Sequence, residues 1–96
     1  MTALRAPATA TVQIDNERVI VTEWRFAPGT ETGQHRHGLD YVVVPTVGGT
    51  LTIESATDSR QVPILLGQSY TRLAGIEHNV ANDTGQEIVF VEIELR

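Results

Sequence analysis

The sequence predicts an all-β protein, a barrel or a sandwich. Three observations carry this. Apolar and polar residues alternate with a period of two in several separate runs. Turn residues fall between these runs at short, regular intervals. No window of ten or more residues repeats apolar positions at a helical spacing. About eight short strands follow, in a chain whose 96 residues suit a single domain, residues 1–96.

Residues 1–8 read as a loose lead-in ended by Pro7. Thr9 to Asp15 places Ala10, Val12 and Ile14 on one face, the pattern of a half-buried strand. Asp15-Asn16-Glu17 turns the chain, and Arg18 to Phe26 returns with Ile20, Trp24 and Phe26 inward, completing a hairpin. Trp24 and Phe26 are expected in the core.

Pro28-Gly29 breaks that strand. Tyr41 to Val44 is apolar on both faces, so it reads as a buried strand ended by Pro45 or lying at an edge. Gly48-Gly49 turns into a strand at Thr50 to Ser55, with Leu51 and Ile53 inward. After Thr57-Asp58-Ser59, Gln61 to Leu66 is a strand interrupted by Pro63. His78 opens a strand ending near Asn82, where Asn82-Asp83-Thr84-Gly85 turns. Gln86 to Leu95 is last, with Val89, Val91, Ile93 and Leu95 on one face and Glu92 and Glu94 on a solvated face.

Composition narrows the function. The formal net charge of −5 argues against nucleic acid, whose phosphates call for clustered Lys and Arg. With no cysteine there is no disulfide or thiolate site, which fits a reducing cytoplasm. The N-terminus lacks a signal-peptide pattern, and no apolar stretch suits a membrane helix. A domain this small would gain from pairing with a second copy.

The chain has three histidines, His35, His37 and His78. Residues i and i+2 of a strand share a face, so His35 and His37 can turn toward one ion. His78 lies far away in sequence, behind a second glycine-rich turn, and the fold is expected to return it to the pair.

Two segments resemble the two halves of the cupin signature. In the first, Gly29 is followed by five residues, then His35, Arg36 and His37, with Gly48 near the closing glycine. In the second, Gly67 is followed by five residues, then Leu73 in place of the family's proline, with Gly75, His78 and Asn82 at the family spacing. The string from His35 to Pro45 is also similar to small cupins associated with β-alanine degradation.

The resemblance implies a double-stranded β-helix, the cupin jelly-roll barrel. It implies a metal on His35, His37 and His78, Fe(II) by family habit, with Mn, Ni or Zn as alternatives. The family's glutamate ligand is missing, and Tyr41 or Val42 stands at its position. Tyr41 shares the parity of the two histidines, whereas Asp40 would reach an ion only through a bulge. Both are candidate pocket residues, and no catalytic group is assigned. Asn82 is expected to hydrogen-bond backbone near the site. Arg72 and Glu77 read as surface charges, with anchoring of a charged substrate as the alternative.

The implied activity is dioxygenase or isomerase chemistry on a small organic acid or amino-acid derivative. The alternative is a non-catalytic binding or sensor protein. A homodimer is expected, with Thr9 to Asp15 pairing with the neighbour's sheet.

Overall fold

A computed structural model describes residues 4–96 and holds eleven strands and no helix among them. In chain order these are β1 (Ala6–Pro7), β2 (Thr9–Asp15), β3 (Val19–Phe26), β4 (Thr30–Glu31), β5 (His35–Arg36), β6 (Tyr41–Val47), β7 (Gly49–Glu54), β8 (Ser59–Ile64), β9 (Tyr70–Arg72), β10 (Glu77–Asn82) and β11 (Ile88–Leu95). They form two sheets. One runs β1-β4-β10-β7-β8, with β5 also on β10; the other runs β2-β3-β11-β6-β9. The predicted all-β jelly-roll architecture is the one observed.

The core lies between the sheets. Phe26, Tyr41, Val43, Leu51, Ile64, Val80, Ile88 and Phe90 form one buried cluster, with Trp24, Ile53, Val62 and Tyr70 packed against it. Phe26 sits between two aromatic neighbours, its ring centroid 6.1 Å from Trp24 and 5.4 Å from Phe90. Phe26 thus takes its expected place in the core, while Trp24 packs against the core and lines the cavity.

The lead-in is more ordered than expected. Residues 1–3 lie outside the described residues, but β1 pairs in parallel with β4. Arg5 holds three carboxylates, Glu31, Glu54 and Asp83, at 3.2, 2.7 and 2.9 Å. Sequence periodicity does not register these contacts because they link residues far apart along the chain.

β2 and β3 form the predicted hairpin, closed by the Asn16 side chain, which accepts hydrogen bonds from the Arg18 and Val19 amides. β2 is not half-buried, however: all seven of its residues are exposed. It is the free edge of its sheet, and nothing from the opposite sheet covers it.

Both prolines inside strands have local explanations. β6 continues through Pro45 because its register with β11 shifts between Val89 and Phe90, a bulge that spares the missing N–H. Pro63 is tolerated because β8 is an edge strand.

The facing of β11 differs from the sequence reading. Ile88, Phe90, Glu92 and Glu94 share the inner face. Val91 and Ile93, opposite Val21 and Val44 in adjacent strands, lie on the outer face. β11 is central in its sheet and buried on both faces at its start, so alternation of apolar residues does not identify the inner side.

Candidate metal centre

The site begins with register. β5 pairs antiparallel with β10 so that His35 lies directly opposite His78. The pairing extends past β5: the His37 amide donates to the Ile76 carbonyl at 2.9 Å, and the Gly75 amide donates to the His37 carbonyl at 2.7 Å. Gly75 takes φ +96°, a conformation that L side chains avoid. This turn delivers the chain into β10 and brings His78 alongside the local pair.

The three imidazoles converge through their Nε2 atoms. His35 Nε2 is 3.0 Å from His37 Nε2, which is 3.1 Å from His78 Nε2. Such spacings suit nitrogens flanking one ion at about 2.1 Å. His35 Nδ1 donates to the Gly33 carbonyl at 2.8 Å, leaving its Nε2 lone pair free to face the centre.

Burial keeps two of the rings neutral. His37 is lowered to about 4, first by desolvation and then by the neighbouring His35. His78 is also lowered to about 4, by desolvation and then by His35, His37 and Arg72. Neutral imidazole is the form that binds a metal. The donor set therefore fits a divalent ion, which His35, His37 and His78 could hold.

A hydrogen-bond relay supports this end of the barrel. Asn79 Oδ1 accepts from the Gly33 amide at 2.9 Å, while its Nδ2 donates to Glu31 and Glu54 at 2.9 Å each. Arg5 grips the same two carboxylates.

The histidines open onto a cavity of about 330 Å³. Tyr41 lies in its wall, stacked on His37 with centroids 3.9 Å apart. Its hydroxyl is pushed up to about 12, chiefly by burial and then by Glu92, so it stays protonated. Asp40 is not part of the lining; its Oδ1 accepts the Ala74 amide at 2.7 Å and fastens a loop. Asn82 is fully buried and donates to the Phe26 and Gln86 carbonyls, bracing the strand ends. Leu73, which replaces the family's proline, is largely exposed.

Four charged residues in the lining were not singled out as site residues from the sequence. Glu92 and Glu94 face inward, not toward solvent. Glu92 is pushed up to about 7 by burial and then by Glu94. His37, Glu92 and Glu94 form a second group whose ligand atoms lie within 4.8 Å of one another. Arg36 and Arg60 also line the cavity, together with Arg72, whose guanidinium lies 4.6 Å above the Tyr70 ring centre. Aligning Phe90 with the core would have revealed the two glutamates, since residues 90, 92 and 94 share a parity.

Comparison with known proteins agrees with this architecture. No family model matches the chain. It is 59% identical over 92 residues to the β-alanine degradation protein BauB of Pseudomonas aeruginosa, covering 96% of this chain and 97% of that one. A cupin domain from Bordetella pertussis Tohama I superposes with a TM-score of 0.95 at 56% identity, covering 99% of each chain. A double-stranded β-helix domain from Klebsiella pneumoniae shares the fold at 17% identity, with a TM-score of 0.76 over 93% of this chain and 76% of that one. The chain is a cupin, a member of the family of small cupins that includes the β-alanine degradation protein.

Proposed function

We propose that this cupin is a metal-dependent enzyme acting on a small organic acid or amino-acid derivative. The observation that carries the reading is the convergence of three Nε2 atoms on the wall of a cavity between the sheets. His35, His37 and His78 hold the ion, with Fe(II) favoured over Mn, Ni or Zn. Three protein ligands leave coordination positions for substrate, unlike a closed structural site with four.

The bound ion supplies either activation of O₂ for dioxygenation or Lewis-acid polarisation for isomerisation. The chain's own residues supply the rest. Gly33 and Asn79 fix the orientation of His35, and Tyr41 braces His37. Similarity to the Pseudomonas β-alanine degradation protein supports catabolism of a small acid.

The decisive test is elemental analysis of untagged protein beside His78→Ala. Near-stoichiometric metal is expected in the parent, with an occupancy drop of at least about tenfold in the variant. Oxygen consumption by the iron-loaded protein over candidate acids then separates turnover from binding. A ligand that binds and is never converted would favour the alternative, a non-catalytic binding or sensor cupin.

The same proposal includes a homodimer in the cytoplasm. Its support is β2, an edge strand with Val12 and Ile14 in water at 59% and 47% exposure. Sedimentation at micromolar concentration should give twice the chain mass; a monomer would contradict the pairing.

A further inference from the structure

The inner face of β11 carries a feature that the three-histidine centre does not require. Glu92 is nine-tenths buried. Neither Glu92 nor Glu94 makes a hydrogen bond or an ion pair among the described residues, whereas Glu23, Glu31, Glu54 and Glu87 all do. In register, Glu92 lies between Thr22 and Val43, and Glu94 between Ile20 and Tyr41, so their strand neighbours offer no cation. Two adjacent carboxylates facing a cavity without a partner are better accommodated when a positive group meets them. His37 Nε2 already faces His35 and His78. Among the described residues no cationic side chain pairs with either carboxylate, so both are open to a positive group of a ligand entering the cavity. The aromatic rings of Trp24, Tyr70 and Phe90 line the same cavity and favour a charged nitrogen.

The opposite charge is also present. All seven basic residues of the chain are arginines, and three of them, Arg36, Arg60 and Arg72, line this one cavity. Arg36 has no ion pair among the described residues. Arg60 reaches Asp58 only at 3.7 Å, and Arg72 donates to its neighbour's carbonyl. Guanidinium groups with spare donors are suited to a carboxylate.

We propose that the cavity selects a small zwitterion, its ammonium nitrogen seated at Glu92 and Glu94 and its carboxylate met by Arg36, Arg60 and Arg72. This rests on the reading of the cavity as the ligand site and narrows the substrate class to an amino acid with a free amine.

A matched three-carbon series tests it: propionate, propylamine and 3-aminopropanoate, titrated calorimetrically into the zinc-loaded protein. The zwitterion should bind at least about tenfold more tightly than either single-charge analogue. Glu92→Gln should lose that margin over propionate and weaken propylamine, while leaving propionate unchanged. Glu94→Gln, at a less buried position, provides the same readout should Glu92→Gln fold poorly. Arg36→Gln should weaken propionate and spare propylamine. Propionate binding as tightly as the zwitterion, an unchanged margin in both glutamate variants, or no binding by any of the three would overturn the proposal. Metal content measured on the same samples keeps the two readings apart. Charge selection without metal uptake retains the zwitterion site and removes the metal centre; stoichiometric metal without charge selection does the reverse.

Discussion

Two groups of carboxylates, one outside the cavity and one inside, have opposite surroundings. Glu31, Glu54 and Asp83 are gathered around Arg5, and Asn79 adds hydrogen bonds to the two glutamates. Glu54 is held below its ordinary range by its hydrogen bonds to Arg5 and Asn79, and Asp83 by that to Arg5. Glu92 and Glu94 have no such partner, and Glu92 is pushed up by burial. The first group is satisfied within the fold and ties β1, β4, β7 and the turn after β10 together. The second makes no hydrogen bond or ion pair among the described residues and faces the cavity.

The two groups should therefore give opposite pH slopes. A carboxyl raised on folding, from 4.5 to about 7, holds its proton more tightly in the folded chain. Its favourable contribution is complete below pH ~4.5 and is lost as pH climbs through ~7. Removing that charge is the largest expected effect. Glu92→Gln should stabilise the metal-free protein at pH 8 by up to about 3 kcal/mol and change little near pH 4, as read by urea unfolding at both values. A loss of stability at pH 8 would mean that the carboxylate is satisfied after all.

The converse experiment removes the partner. Arg5→Ala should cost about 2 kcal/mol at pH 7, less than a fully buried pair because Glu54 and Asp83 remain partly in water. Carboxyls lowered on folding contribute above their ordinary range and lose that contribution as pH falls, so the deficit should shrink below pH ~4. A deficit that stays constant with pH would assign the effect to packing instead. The smallest effect is the surface control: Arg25→Ala breaks exposed pairs with Glu23 and Glu87 and should stay within about 0.5 kcal/mol.

The histidine centre could be read from the sequence because its information is local. His35 and His37 are two residues apart, and Gly75 sets the turn before His78 at a fixed spacing. The glutamates were not legible for a physical reason. β11 is apolar on its outer face, where Val91 lies opposite Val44 and Ile93 lies between Val21 and Val42, so hydrophobic alternation favoured the wrong side. Asp40 was drawn toward the pocket by its place in the motif, but the Ala74 amide, 34 residues on, claims its side chain. β2 alternates as though half-buried, yet no element among the described residues covers it; such a pattern records a surface without naming its partner.

The relay from Arg5 through Glu54 and Asn79 to Gly33 has a consequence for local opening. The Ala8 amide reports on the arm, through its bond to the Glu31 carbonyl, and the Gly33 amide reports on the support of His35. These two amides should exchange with solvent deuterium as one unit, and Arg5→Ala should speed both together. The foot of the barrel and the mounting of its first histidine would then open as one cooperative element, although 25 residues separate the two amides along the chain.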